Sequence, residues 1–436
     1  MVQERLAVLS MNIFCRPEGI HSGQWFHTGD YKDLRIALLL RKMAKFDVVI
    51  LQEMFEAGVR HQRFVRKAYA MGFRYHCGSV WPKLLDLRLI DGGLLILSRY
   101  PIVQRDQLAF SQGSGSDGMC AKGVLYARIQ LSPHLSHSLH VFTTHTQAGD
   151  NLKDYNIRLA QLEEMHKFIG QTIHENLGGP ILITGDFNLD ARHDLIHDFK
   201  TGSVTSIRCR ESKVYQQLIE NLERVVKQAR QKSAVEACSD TLVIDLMKRC
   251  DTTKLGDELH PITNGDGHSS LVHLSDPLSL DKDGKCIDYM FFIPGDAQTD
   301  QKHLDSTPFQ FTLEEMGTTV DHCTVKDLFD SKNDDDQVTQ RLHQLDVHPV
   351  THLSDHYGLR ANFLLELTNL KCPDGLPVGK NEPIASVLQL YFPQSAYAQQ
   401  PQRLWKLKLA FALFLILAST SIVIFLFVCS ILRFIT

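Results

Sequence analysis

The chain has 436 residues, is 44% hydrophobic and carries a net charge of -4. That is enough for one large α/β domain or two to three modules. With 46 Lys and Arg against 50 Asp and Glu there is no cationic surplus to neutralise a phosphate backbone, so composition gives general nucleic-acid binding no electrostatic support and leaves room only for a local basic groove. Ten cysteines lie at irregular intervals without a CxxC pair, which suits scattered thiols in a reducing compartment and not a disulfide framework.

In chain order, residues 6–13 form a short apolar run that predicts a first buried strand. It contains Asn12, where a secretory signal core would be featureless. A helix is expected over 31–44, a strand over 46–52, a helix over 64–71 and a strand over 93–98 that leads into a Ser-Arg-Tyr-Pro turn. The stretch 80–90 is apolar with interleaved charge and suits either an interfacial segment or core. A Gly-rich loop around Gly113, Gly115 and Gly118 precedes strands over 123–131 and 139–144. Leu159, Leu162, Met165 and Ile169 recur at three- to four-residue spacing, predicting a helix over 155–173. A strand follows over 180–184, then an insertion, 191–281, with a helix over 214–229 and a Gly/Asp/His/Ser-rich passage from 260 to 276. Strands over 286–293 and 359–363 close a domain spanning 1–366.

Residues 367–406, with Pro373, Pro377, Pro383, Pro393 and Pro401, read as an extended Pro/Gln-rich linker. Leu409 to Leu432 contains no charged residue and, at about 1.5 Å per residue, spans roughly 36 Å as a helix. This predicts a transmembrane helix over 407–433. Arg403, Lys406 and Lys408 precede it and only Arg433 follows, so the positive-inside bias faces the large domain to the cytosol as a tail-anchored protein. The sequence does not say which membrane.

Five short motifs fall at the ends of predicted strands: Met11-Asn12-Ile13, Leu51-Gln52-Glu53, Thr144-His145-Thr146-Gln147-Ala148, Gly185-Asp186-Phe187-Asn188 and Ser354-Asp355-His356. Their hard oxygen donors, without paired thiolates, suit Mg²⁺, with Mn²⁺ as a substitute. Glu53 with Asn12 meets the need for a metal carboxylate. A phosphodiester then requires a base for the attacking water, a carboxylate that orients the base, and donors for the developing charge. His356, Asp288 and the pair His145/Asn188 supply these roles.

The ordered series resembles the endonuclease/exonuclease/phosphatase superfamily over roughly residues 5–366. The resemblance implies a four-layer α/β/β/α sandwich of the DNase I-like type. It implies metal contacts at Glu53, Asn12 and Asp355, and catalytic roles for Asp186, Asn188, His145, His356 and Asp288. THTQA resembles the neutral sphingomyelinase branch in particular. So does the loop that places Asp117 and Lys122 five residues apart, which implies phosphate binding by Lys122 with Asp117 holding or releasing it. His260-Pro261-Ile262-Thr263-Asn264-Gly265-Asp266 resembles a passage of the same branch and is read as family-marking, not catalytic.

These resemblances imply a Mg²⁺-dependent sphingomyelin phosphodiesterase of phospholipase C type, yielding ceramide and phosphocholine. Its expected partners are a membrane sphingolipid and the bilayer, with no nucleic acid. The alternatives are a phospholipase C for inositol phosphosphingolipids or lyso-phospholipids, and a nuclease of the same fold. Head-group choice is expected to lie in the 191–281 insertion.

Overall fold

The computed structural model describes residues 2–17, 30–56, 59–80, 82, 88, 90–175, 178–198, 200–231, 243–248, 259–272, 284–295, 309–329, 350–367, 370–374 and 382–392. All belong to one contact unit. A second unit, residues 83–86 and 395–436, lies outside the described residues. The expected transmembrane helix is therefore outside them, as is most of the apolar 80–90 stretch. Among the described residues no helix is long and apolar enough to cross a membrane.

Two six-stranded mixed sheets form the centre. The first has the order β13-β14-β1-β2-β4-β3. Its strands are β1 (Val2–Cys15), β2 (Val48–Met54), β3 (Tyr75–Gly78), β4 (Leu95–Ser98), β13 (Phe309–Asp321) and β14 (Gly358–Leu367). The second has the order β11-β12-β8-β7-β6-β5. It comprises β5 (Ile102–Ala109), β6 (Gly123–Gln130), β7 (Ser138–His145), β8 (Ile181–Asp186), β11 (Ile244–Asp245) and β12 (Asp288–Ile293). Each sheet has one parallel pair at its centre, β1 with β2 and β7 with β8, flanked by antiparallel neighbours.

Burial separates the layers. Leu6, Val8, Ile50, Leu125, Val141, Leu182, Met290 and Phe363 pack together, so the inner faces of the two sheets share one core. The outer face of the first sheet packs on α1 (Lys32–Met43) and α2 (Arg60–Ala70) through Leu38, Leu39, Met43, Phe64 and Ala68. The outer face of the second packs on α3 (Leu152–Glu175) and α4 (Lys213–Gln231) through Leu162, Met165, Leu218, Leu222 and Val226. Central strands buried on both faces explain the near-continuous apolar runs of the sequence. The result is the expected α/β/β/α sandwich.

Two features depart from the sequence reading. The stretch read as an extended linker contains a helix, Ile384–Tyr391, whose Ile384, Val387 and Leu388 enter the inter-sheet core. The Ile384 N–H donates to Glu4 Oε2 at 2.6 Å and Gln389 donates to the Arg99 carbonyl at 3.0 Å, so the packed domain extends past residue 366 to at least 392. In the insertion, a hairpin of β9 (His193–His197) and β10 (Val204–Arg208) pairs with neither large sheet.

Candidate active site

The sheet register explains why distant motifs meet. In the second sheet, Asp288 pairs with Asp186 across the antiparallel β12/β8 ladder, and His145 pairs with Asp186 across the parallel β7/β8 ladder. Three functional side chains thus stand side by side on one face, because paired residues share a side of the sheet. Gly185 permits this close approach. Its φ is +142°, and a Cβ there would meet the Thr144 carbonyl oxygen at 2.1 Å.

The first sheet contributes Asn12 near the end of β1 and Glu53 near the end of β2, with His356 just before β14. Gln52 turns inward and donates to Thr143 Oγ1 at 3.1 Å. Strict strand alternation would send Glu53 to the opposite face. Glu53 instead adopts φ +57°, in the left-handed region, and its carboxylate accepts from Asn12 Nδ2 at 3.2 Å. The same Nδ2 donates to Asp186 Oδ2 at 2.9 Å, joining the two sheets. Asn188 is also left-handed, with φ +47°; its N–H donates to Asp186 Oδ1 at 2.9 Å and its Nδ2 to the Thr146 carbonyl at 3.1 Å. Non-glycine residues held in that region cluster at functional sites.

Around Asp186 two pairs converge. His356 Nδ1 lies 2.8 Å from Asp288 Oδ2, and its Nε2 lies 3.7 Å from Asp186 Oδ2. Lys122 Nζ lies 2.7 Å from Asp117 Oδ2, 2.9 Å from His145 Nε2 and 2.8 Å from the Thr146 carbonyl. His145 Nε2 is in turn 3.5 Å from Asp186 Oδ2. Asp355 Oδ1 accepts from Ser354 Oγ at 3.1 Å.

Residues 9–322 match the sequence model of the Endonuclease/Exonuclease/phosphatase family. The chain belongs to this family. A sphingomyelinase of Dictyostelium discoideum is 36% identical over 177 residues, 34% of this chain and 38% of that protein. A sphingomyelinase C of Listeria ivanovii is 33% identical over 182 residues, 38% of this chain and 52% of that protein. The chain thus spans about two fifths to one half of the length of these relatives. A solved beta toxin from Staphylococcus aureus with bound magnesium ions superposes with a TM-score of 0.49 at 18% identity, covering 82% of this chain and 99% of that one.

The family site is buried, and burial sets its charges. Glu53 is pushed above the usual carboxylate range by burial and by Asp355, against the pull of Arg16 and Lys122. Among the described residues its Oε2 has no hydrogen-bond partner. An orphaned buried carboxylate oxygen fits a cation ligand, since an unpaired charge there is otherwise expensive. Asn12 Oδ1 is taken by the Phe14 N–H at 2.9 Å, so Asn12 presents its amide nitrogen and aims Glu53 instead of offering an oxygen. Asp186, Asp288 and His356 also bring one ligand atom each within 4.8 Å of one another, a cluster that overlaps the acid–base pair and omits Glu53.

Burial works to lower the pKa of His356, but Asp288, Asp186 and Asp355 outweigh it and hold the imidazole well above its ordinary value. Burial pushes the Asp288 carboxyl up, with His356 drawing it back. His145 behaves oppositely: burial and the neighbouring Lys122 lower it to about 3. An ammonium has only donors, so His145 Nε2 accepts from Lys122 and the ring proton sits on Nδ1.

All ten residues singled out in the sequence are therefore in one neighbourhood. The sequence reading missed the parts that hold them. Arg35 of α1 donates to the carbonyls of Ile13 at 2.7 Å, Phe14 at 2.7 Å and Leu353 at 2.8 Å, tying the end of β1 to the Ser-Asp-His loop. Thr263, read only as part of a family-marking string, accepts the N–H groups of Ile287 and Asp288 on Oγ1, both at 3.1 Å. Its carbonyl accepts the Tyr357 N–H at 2.7 Å. Thr263 thus bridges the strand that carries Asp288 and the residue beside His356. The only signal that touched it was the family-like string His260 to Asp266 in which it lies.

Proposed function

We propose that the chain is a Mg²⁺-dependent sphingomyelin phosphodiesterase that releases phosphocholine and ceramide. The observation that carries this reading is the convergence of Glu53 with its free Oε2, the Asp288–His356 pair and the Lys122–His145 pair around Asp186. Sphingomyelinases among the partial-length relatives support a lipid over a nucleic acid as substrate.

The donor set suits Mg²⁺, or Mn²⁺ in its place: Glu53 and Asp355 would hold the ion, and Asn12 would orient Glu53. When bound, the ion supplies positive charge beside the phosphate and eases departure of the ceramide alkoxide. In its neutral form His356, oriented by Asp288, takes a proton from water as the water oxygen bonds to phosphorus. The bond from phosphorus to the ceramide oxygen breaks, the alkoxide takes a proton from solvent water, and His356 returns its proton to solvent. Asp186 and Asn188 orient the water and phosphate. Lys122 and Asn188 meet the added charge, each such donor being worth on the order of 3 kcal/mol. His145 holds Lys122 in place, and Asp117 is the counter-charge from which Lys122 is released toward phosphate.

The test is head-group release from labelled sphingomyelin by the full chain, with Mg²⁺ and with a chelator. Activity that needs the metal and falls at least a hundredfold in both Glu53→Ala and His356→Ala is expected. Near wild-type release by either variant refutes the assignment, and faster cleavage of abasic DNA than of lipid reverses the substrate class. The catalytic domain, the residues after 392 as linker, and 407–433 as a cytosol-facing tail anchor complete the proposal. Removing residues 404–436 should free the protein from membranes and slow hydrolysis of bilayer substrate more than of detergent-solubilised substrate. Equal loss in both would count against the anchor.

A further inference from the structure

A cavity of about 560 Å³ opens beside the reaction centre, with Asn188 and Asn264 in its lining. The volume lies within the roughly 300–1,000 Å³ typical of small-molecule sites. Asn188 is the residue whose N–H holds Asp186, and Asn264 Nδ2 donates to the Asp355 carbonyl at 3.3 Å, so the cavity meets the phosphate site itself.

One wall is built by the start of α3 and the loop before it, through Asp150, Tyr155 and Arg158. The other belongs to the insertion, through Asp194, Ser206 and Ile207 of the β9–β10 hairpin and Lys213 and Gln217 at the start of α4. The two walls touch where His197 Nε2 meets the Asp150 carbonyl at 2.8 Å and the His197 ring lies 4.9 Å from Tyr155. Isolated two-stranded hairpins are marginal on their own. This one adds no residue to the three apolar clusters of the domain and leaves Ile196 and Ile207 exposed. Packing gives it no purpose; walling the cavity does.

The lining's chemistry selects what enters. Asp150, Asp190 and Asp194 face Arg158, Lys213 and Lys285, a balanced set of charges that would strip water poorly against an acyl chain. Most of these charges pair with one another: Lys285 Nζ is 2.7 Å from Asp150 Oδ2, Arg158 donates to the carbonyls of Gln147 and Gly149 at 2.9 Å, and His193 Nδ1 is 2.6 Å from Asp190 Oδ2, whereas Asp194 Oδ1 accepts the Lys213 N–H at 2.9 Å. Tyr155 adds an aromatic face beside the carboxylates, a combination that attracts an ammonium.

The geometry points to this cavity as the head-group pocket, taking the ammonium-bearing alcohol esterified to the scissile phosphate and leaving the ceramide outside. The inference rests on the proposed lipid phosphodiesterase activity and names the residues that select its substrate. Ser206→Trp fills the cavity from an exposed position on the hairpin. It should raise KM for sphingomyelin at least tenfold and leave hydrolysis of methyl 4-nitrophenyl phosphate, whose retained ester group is only a methyl, within twofold of wild type. That second substrate also reports that the variant is folded. Asp194→Asn should lower kcat/KM for sphingomyelin several-fold more than for ceramide phosphoinositol. Equal change of both substrates in Ser206→Trp, or of neither, overturns the pocket. Asp194→Asn acting equally on both lipids overturns the ammonium preference. A wild-type chain that cleaves methyl 4-nitrophenyl phosphate but no sphingolipid refutes the proposed activity, and the head-group pocket with it.

Discussion

Thr263→Val removes one oxygen and nothing else of consequence in volume. Thr263 is fully buried, and its Oγ1 is the acceptor for the N–H groups of Ile287 and Asp288. Valine leaves both donors without that partner in the interior. A buried unsatisfied group costs about 1–3 kcal/mol, so two sharing one acceptor should cost about 2–4 kcal/mol. In a domain of this size that lowers Tm by on the order of 5 °C. Activity should suffer more than stability, because the Asp288 N–H is where Thr263 grips the carboxylate that holds His356 at 2.8 Å. Misplacing a catalytic group by about 1 Å costs on the order of a hundredfold, so kcat should fall about 10- to 100-fold with KM little changed. Thr263→Ser keeps the oxygen and should restore most of both. In an Asp288→Asn background, Thr263→Val should add little, since residues that act as a unit are not additive. Thermal melts and steady-state kinetics on the four proteins check this. A Thr263→Val enzyme within twofold of wild type, or a Thr263→Ser enzyme as poor as Thr263→Val, refutes the reasoning.

Two further outcomes follow from the charges of the site. Asp288 is the strongest of the carboxylates that raise His356. If His356 is the base, the acid limb of the kcat/KM profile marks its deprotonation. Asp288→Asn should then move that limb to lower pH as well as reduce the rate; an unmoved limb assigns the base role elsewhere. Glu56, pushed up to about 8 by burial and Asp91, is protonated in the folded protein at neutral pH but charged when unfolded. Its stabilising contribution is complete below about pH 4.5 and is lost as pH rises through 8. Glu56→Gln should therefore stabilise the protein by about 3 kcal/mol at pH 7 and hardly at all at pH 5. A difference in Tm that is flat with pH would show that Glu56 does not carry it.

The eight strands read from the sequence all exist, with boundaries within a few residues except where β1 and β14 run longer. They were legible because central strands buried on both faces leave unbroken apolar runs, and because the family motifs sit at their ends. The edges were not. β3 is four residues long, and β13, half solvated, reads FQFTLEEM with charges on its outer side. The helix 384–391 was hidden between prolines that are compatible with a helix start, where Pro383 precedes the first turn. The ten candidate residues were found by type and order. What sequence could not give was orientation: that Asn12 turns its nitrogen to Glu53, that His145 accepts from Lys122, and that Thr263 clamps Asp288 from behind.

Those orientations separate two layers of the design. The groups proposed to react come from the ends of β1, β2, β7, β8 and β12 and from the residues just before β6 and β14, strands that pair within the two sheets, so the fold itself sets their spacing. A change of substrate need not disturb that spacing. The cavity wall comes instead from a hairpin that joins neither sheet, adds nothing to the described apolar clusters and is tied on by hydrogen bonds such as Cys209 N–H to the Arg192 carbonyl, Lys213 N–H to Asp194 Oδ1 and His197 Nε2 to the Asp150 carbonyl. Residues placed there can vary without loss of the sandwich, because little apolar area depends on them. On the proposed lipid phosphodiesterase activity, selectivity between head groups should be a property of the insertion, unlike phosphodiester hydrolysis itself. It should transfer with the hairpin and the start of α4, leaving the chemistry at Glu53, Asp186 and His356 behind.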